Sequence, residues 1–179
     1  MIQPPAPLRS FGRIKARPIK PRQAARHPDV RIVGAEPFLN GVASALRHID
    51  ERGLTNVRLH QGDAREVVAG LPDASLGRIF ILFPDPWPKA RHHKRRLVQP
   101  DTVAEFARVL RPGGRLRFAT DWADYADRAL ETFLASSRFR WTAEAAGDWR
   151  VPPPNHVTTR YEAKRLGDCA PVFLDFERV

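Results

Sequence analysis

Arg78-Ile79-Phe80-Ile81-Leu82-Phe83 is a nearly unbroken apolar run that stops at Pro84, the pattern of a β-strand buried on both faces. Such strands belong to sheets that carry helices on both sides, so the flanking sequence should alternate strand and helix. Upstream it does. Val30-Arg31-Ile32-Val33-Gly34-Ala35 reads as a strand ending at Glu36, and Phe38 to Arg52 has helical spacing closed by Gly53. Asn56 to His60 reads as a second strand, and Ala64 to Leu71 as a short helix with Asp63 as its cap. Downstream of the run, Gln99 to Leu110 fits a helix, Pro112-Gly113-Gly114 a turn, Arg115 to Thr120 a strand and Tyr125 to Ser136 a further helix. Pro152 to Pro154 form a proline-rich link, and Val172-Phe173-Leu174-Asp175-Phe176 a terminal strand. The order predicts an α/β sheet, parallel in its main part.

The first thirty residues hold six prolines and seven Lys or Arg with little apolar periodicity, which predicts a basic arm over residues 1–29 and a single folded domain over 30–179. The chain has 179 residues, 42% of them apolar, enough for a core. Its net charge of +10 favours a polyanionic partner, with nucleic acid first and an inert basic surface as the plain alternative. Cys169 is the single cysteine, so an internal disulfide or a cysteine metal cluster is excluded and a metal-free mechanism in a reducing compartment is expected. The sequence has no apolar stretch of bilayer length and no signal-like N-terminus, which predicts a cytoplasmic protein that does not engage membranes.

Ligands of open α/β sheets bind beyond the carboxyl ends of the strands, which draws attention to three acidic residues. Glu36 closes the first strand, where a carboxylate can grip both hydroxyls of an adenosine ribose. Asp63 follows the second, within reach of an adenine edge, and Asp85 follows the run ending at Phe83. Glu36 and Asp63 can equally serve as helix caps. The segment Pro84 to Arg96 packs three prolines, Trp87 and seven Lys, Arg or His into thirteen positions. Its prolines restrict the chain, so Asp85 and Trp87 are held at defined angles above the sheet edge. Trp87 suits stacking on a base or packing beneath the loop. Lys89, Arg91, Lys94, Arg95 and Arg96 form a patch able to neutralise phosphates.

The string Phe83-Pro84-Asp85-Pro86-Trp87-Pro88-Lys89-Ala90-Arg91-His92-His93-Lys94-Arg95-Arg96, with Thr120-Asp121-Trp122 and Thr159-Arg160-Tyr161-Glu162, closely resembles the bacterial tRNA (guanine-N7-)-methyltransferases, which use S-adenosylmethionine. The resemblance runs from about Asp29 to Val179. It implies a Rossmann-like class I methyltransferase fold, transfer of a methyl group to N7 of a guanine in the variable loop of tRNA, and a monomer or homodimer. It also implies donor-pocket roles for Glu36, Asp63 and Asp85, and substrate contacts at Lys89, Asp121, Thr159, Arg160, Tyr161 and Glu162. Arg91, Lys94, Arg95 and Arg96 are the expected phosphate contacts. Guanine N7 is already a nucleophile and the sulfonium methyl is already activated, so the protein need only align the two, exclude water and place one carboxylate at the guanine. Asp85 is the catalytic candidate.

One element of that pattern is missing. Methyltransferases of this fold open with a strand ending in a glycine-rich turn that admits the methionine part of the donor. Before Val30 this sequence has one glycine, Gly12, and it passes from Gln23-Ala24-Ala25 directly into Arg26-His27-Pro28-Asp29. An internal loss of the first strand and its turn is therefore expected, leaving the Glu36 and Phe83 strands without the neighbour between them. A catalytically inactive tRNA-binding remnant of the same family is the alternative function. A third reading takes Pro84-Asp85-Pro86-Trp87 as a variant of the Asn/Asp-Pro-Pro-aromatic element of amino methyltransferases, a pattern that lacks the basic run after Trp87.

Overall fold

Six strands form among the described residues, and they fall into two sheets rather than one. The computed structural model describes residues 21–154, 156–158 and 162–179. Helix α1 (Pro21–Arg26) precedes a parallel pair, β1 (Ile32–Ala35) and β2 (Val57–His60), which α2 (Leu39–Asp50) connects. Helix α3 (Ala64–Ala69) leads to the second sheet, where β3 (Leu76–Leu82) lies parallel to β4 (Leu110–Thr120). Helix α4 (Pro100–Val109) joins those two strands, and α5 (Ala123–Leu134) follows β4. The edge is antiparallel: β5 (Phe139–Trp141) pairs with β6 (Val172–Arg178), and β6 with β4, with the short α6 (Gly147–Arg150) between β5 and β6.

The division falls where a strand is missing. A doubly wound sheet has the order 3-2-1-4-5-6, with its first strand in the middle. Removing that strand leaves a pair on one side and the remaining strands on the other, as seen in β1-β2 and β3-β4-β6-β5. The expected class I methyltransferase architecture is thus present with an interrupted centre.

The core lies on one side of the four-stranded sheet. Ile81, Leu116, Phe118, Leu174 and Phe176 meet Val103, Phe106 and Ala107 of α4 and Tyr125, Ala129 and Phe133 of α5. Phe133 stacks on Phe176 with centroids 4.3 Å apart, and Phe139 meets Phe133 edge-on at 5.2 Å. Arg108 of α4 fastens α3 to this body by donating to the carbonyls of Val68 and Leu71 and to the Asp73 carboxylate. The β1-β2 pair has little core of its own, with Val57 and Ala45 among its few buried apolar residues.

Four sequence expectations change. Part of the segment expected to have little structure of its own forms α1, which Asn56 holds by donating its side-chain amide to the carbonyls of Ala24, His27 and Val30. The Phe83 strand is buried on one face alone: β3 is an edge strand and Phe80 is 46% exposed. Pro112-Gly113-Gly114 is an interruption inside β4 rather than a turn before it, and the register jumps between the Leu76–Leu110 and Arg78–Arg115 pairs with Gly113 at φ +72. Strand β5 and helix α6 were not foreseen, being too short to show periodicity.

Candidate active site

The carboxyl ends of the parallel strands carry the acidic residues singled out from the sequence. Glu36 follows β1 and is 3% exposed, with Oε1 accepting from the Phe38 amide at 3.0 Å. Its chain lies against Gly41 of α2, where an added Cβ would come within 2.5 Å of Cδ. Gly41 is thus a site residue that sequence reasoning missed; a glycine inside a helical pattern was the available signal. Asp63 caps α3, accepting from the Arg65 amide at 2.9 Å, while the Arg65 guanidinium reaches both carboxylate oxygens. The capping role weighed for Asp63 is therefore realised.

Beyond β3 the chain makes a constrained turn. Phe83 and Trp87 both have positive φ, 51 and 44, on either side of Pro84-Asp85-Pro86. Bulky residues rarely adopt that region, so the surrounding structure must hold it. The Phe83 amide is held by the Ala119 carbonyl at 2.6 Å, and the Pro86 carbonyl accepts from Arg96 Nε at 2.8 Å. Asp85, half-buried, sits between these two restraints. Trp87 packs edge-on to His92 at 5.8 Å, and the Arg95 guanidinium lies 5.0 Å from its ring centroid.

Arg96 departs from the expectation of a phosphate contact. It is 2% exposed, its guanidinium lies 4.7 Å from the Tyr125 ring centroid, and it donates to Asp124 at 2.5 Å as well as to Pro86. The apolar neighbours Leu97 and Val98 continue into the core and draw Arg96 inward with them. It therefore ties the Pro-Asp-Pro turn to α5. Its hydrogen bond holds the Asp124 carboxyl below the usual carboxylate range, and burial pushes the Tyr125 hydroxyl up to about 12. Lys89, Arg91 and Lys94 remain exposed on the 3-10 segment Ala90–Arg95 and its cap, with Arg95 half-buried against Trp87. Desolvation first, then the surrounding cations led by Arg95, lower the pKa of His92.

Asp121 follows β4 and turns toward the tail rather than outward. Its carboxylate accepts from the Gly167 amide at 3.0 Å and its carbonyl from Cys169, and a side chain at Gly167 would overlap it. Glu162 is enclosed too, at 2.8 Å from His156 Nε2, whose ring packs edge-on against Phe173. Thr159, Arg160 and Tyr161 lie outside the described residues. The structure thus brings Asp85, the cationic turn and Asp121 to one end of the four-stranded sheet, with Glu36 and Asp63 at the corresponding end of the other sheet.

A family profile described as "Putative methyltransferase" matches residues 19–173. A tRNA (guanine-N(7)-)-methyltransferase of Caulobacter sp. strain K31 is 53% identical, the match covering 99% of this chain and 98% of that protein. The chain belongs to the tRNA (guanine-N7-)-methyltransferase family. The enzyme of that name from Hyphomonas neptunium is 58% identical over 86% of this chain and 70% of its own. Among solved structures, an rRNA methylase from Streptococcus thermophilus has a TM-score of 0.54 at 12% identity, covering 87% of this chain and 79% of its own. The [4+2]-cyclase SpnF has a TM-score of 0.56 at 19% identity, over 88% and 69%. These likenesses show the fold alone, and one of them is named a cyclase, so chemistry must be argued from the site.

The same matches expose the gap. The Caulobacter alignment runs over 222 positions against 179 residues here, so at least 43 of its positions have no counterpart in this chain. The Hyphomonas alignment, 154 residues for 86% of the chain, needs no such interruption. That number of positions, taken together, is what a strand, a glycine-rich turn and a helix need, at about 30 or more residues per βαβ unit. The fit of the family's donor, S-adenosylmethionine, is accordingly divided. Glu36 and Asp63 are the residues that the sequence pattern offers to its adenosine, but the described residues contain no glycine-rich turn at the end of a central strand for its methionine portion.

Proposed function

We propose that this chain acts on tRNA as a guanine-N7 methyltransferase whose substrate side is intact and whose hold on the donor is weakened. The observation that carries this reading is the 53% identity to the Caulobacter enzyme across almost all of both chains. S-adenosylmethionine supplies the electrophilic methyl when it is bound. The protein's own part is positional. Asp85, between two fixed points of a strained turn, presents a carboxylate to the donor edge of guanine and offsets the positive charge that N7 alkylation creates. Lys89, Arg91, Lys94 and Arg95 take phosphates, with Arg160, Thr159 and Tyr161 as substrate contacts nearby in the family pattern. Asp121 and Glu162 act through the tail, one fixing Gly167 and the other His156. A cytoplasmic location and a monomer or homodimer suit this role, and no helix of the described residues is long and apolar enough to cross a membrane. No group of His, Cys, Asp or Glu among those residues is suited to hold a metal.

Single-turnover methyl transfer to tRNA at saturating donor tests the reading. Asp85→Ala should depress the rate at least a hundredfold while tRNA affinity changes less than threefold, because the contact strengthens as charge develops. Equal losses in rate and affinity would make Asp85 a simple anchor. Methyl appearing at a position other than guanine N7 would overturn the assignment.

A further inference from the structure

The face of the four-stranded sheet opposite α4 and α5 is graded in rows that the strand register defines. Arg78, Arg115, Glu177 and Arg140 stand side by side across all four strands. The next row holds Phe80, Arg117 and Asp175, and the row nearest the active-site end Leu82, Ala119 and Phe173. Arg117 and Asp175 neutralise each other through two bonds of 2.6 Å. In the first row Arg115 and Arg140 share the one carboxylate of Glu177, at 3.2 and 3.0 Å. Arg78 is exposed, with its guanidinium 5.8 Å from the centroid of the Phe80 ring. Beyond Arg117 and Asp175 the face continues into a cleft of about 400 Å³ bounded by Thr142, Asp148, Pro152 and Pro153.

An exposed aromatic ring on an edge strand, flanked by arginines in excess of carboxylates, is a physical arrangement that binds single-stranded nucleic acid: the ring accepts a base by stacking and the cations take the adjoining phosphates. We propose that the exposed first row of this face, together with Phe80, is a second RNA-binding surface, distinct from the loop at Lys89 to Arg95, which takes an unpaired nucleotide on Phe80 and its phosphates on Arg78, Arg115 and Arg140. The proposal rests on the reading that the chain engages RNA. A docking helix would need apolar rows, whereas the first row is wholly charged and the second largely so. The neighbouring strands are 4.7–4.9 Å apart in any sheet, so the three arginines span a distance that a short run of backbone can follow. Glu177 and Asp175 limit the charge, their carboxylates being held by Arg115 and Arg140 and by Arg117.

The test is fluorescence anisotropy with two probes, a short single-stranded RNA oligonucleotide and whole tRNA, against four variants. Phe80→Ala should weaken oligonucleotide binding about tenfold, with Phe80→Tyr restoring it. Arg78→Ala with Arg115→Ala should lower the salt slope for the oligonucleotide by about 1.4, at about 0.7 per phosphate contact. Lys89→Ala with Arg91→Ala and Lys94→Ala should weaken tRNA binding and leave the oligonucleotide nearly unaffected. All of these side chains are exposed, and thermal melts verify that each variant is folded. Oligonucleotide affinity and salt slope unchanged in both sheet variants would overturn the sheet proposal, with the loop variant then judging the loop reading alone. Displacement of the oligonucleotide by an apolar helical peptide, with no salt dependence, would overturn it as well and assign the face to a helix. A loop variant that binds tRNA normally while the sheet variants lose the oligonucleotide supports the sheet site and removes the loop.

Discussion

The β1-β2 pair and the four-stranded sheet are built from similar strand-helix units but differ in how they are held. The four-stranded sheet buries Phe106, Phe118, Phe133, Phe173 and Phe176 nearly completely, whereas the largest buried groups of the pair are Glu36, Val57 and the small side chains of Ala24 and Ala45. The pair also leaves Val33 46% exposed and puts Leu39 and Leu46 of α2 at the surface. A parallel sheet normally gains its burial from neighbours on both sides. What β1 lacks is therefore the strand and helix that would cover it, more than any defect of its own sequence. On the proposed reading the interrupted centre affects the two ligands unequally: the tRNA side rests on the well-packed sheet, while the donor's adenosine falls to the thin one.

The largest effect separating the two regions should come from their cores. Phe118→Ala, in the middle of β4, should cost about 3–5 kcal/mol and abolish the main unfolding transition at ordinary temperature, as read by urea titration. Val57→Ala should cost about 1–2 kcal/mol and leave that transition in place. A Val57 effect as large as that of Phe118 would mean that the two sheets unfold as one unit. Native-state hydrogen exchange sharpens the comparison, since the amides of β1 and β2 should open at least tenfold more readily than those of β4 and β6. Equal protection would sink the account of a thin sheet.

Asn56 is the next smaller effect. Its amide holds three carbonyls between α1 and β1, so Asn56→Ala should cost about 1–3 kcal/mol locally and release α1 to exchange and proteolysis without loosening β4. The smallest concerns the acid side. Arg96 holds Asp124 below the usual carboxylate range, so the pair's stabilising contribution is present above about pH 4 and is lost as the pH falls through the depressed value. The Tm difference between the wild-type chain and Asp124→Asn should be measurable at pH 7 and vanish toward about pH 2. A difference that persisted there would assign the effect to packing.

Periodicity was enough to read the strand and helix order from Glu36 to Ser136, because each unit is long enough to show its period and is closed by Gly, Pro or a capping Asp. It was not enough for β5 and α6, of three and four residues, whose conformation is imposed by packing on β6. The absence of a glycine-rich turn was legible, but not that β1 and β3 would stand in separate sheets rather than pair directly. The fate of Arg96 was not: a basic run predicts cations, but which one turns inward depends on the Pro86 carbonyl, Asp124 and Tyr125, distant or hidden in sequence. Phe80 was read as buried for the converse reason, since an apolar pattern cannot report that its covering element is gone.

Calorimetric titration of S-adenosylmethionine into the folded chain tests the central claim most directly. On the proposed reading Glu36 and Asp63 hold the adenosine, but the charged methionine end loses several hydrogen bonds of about 1.5–3 kcal/mol each, which takes a micromolar ligand to millimolar or weaker. The account predicts that result in a chain that still binds tRNA with micromolar or better affinity. Micromolar donor binding would contradict it, and would mean that residues outside the central gap rebuild the missing turn.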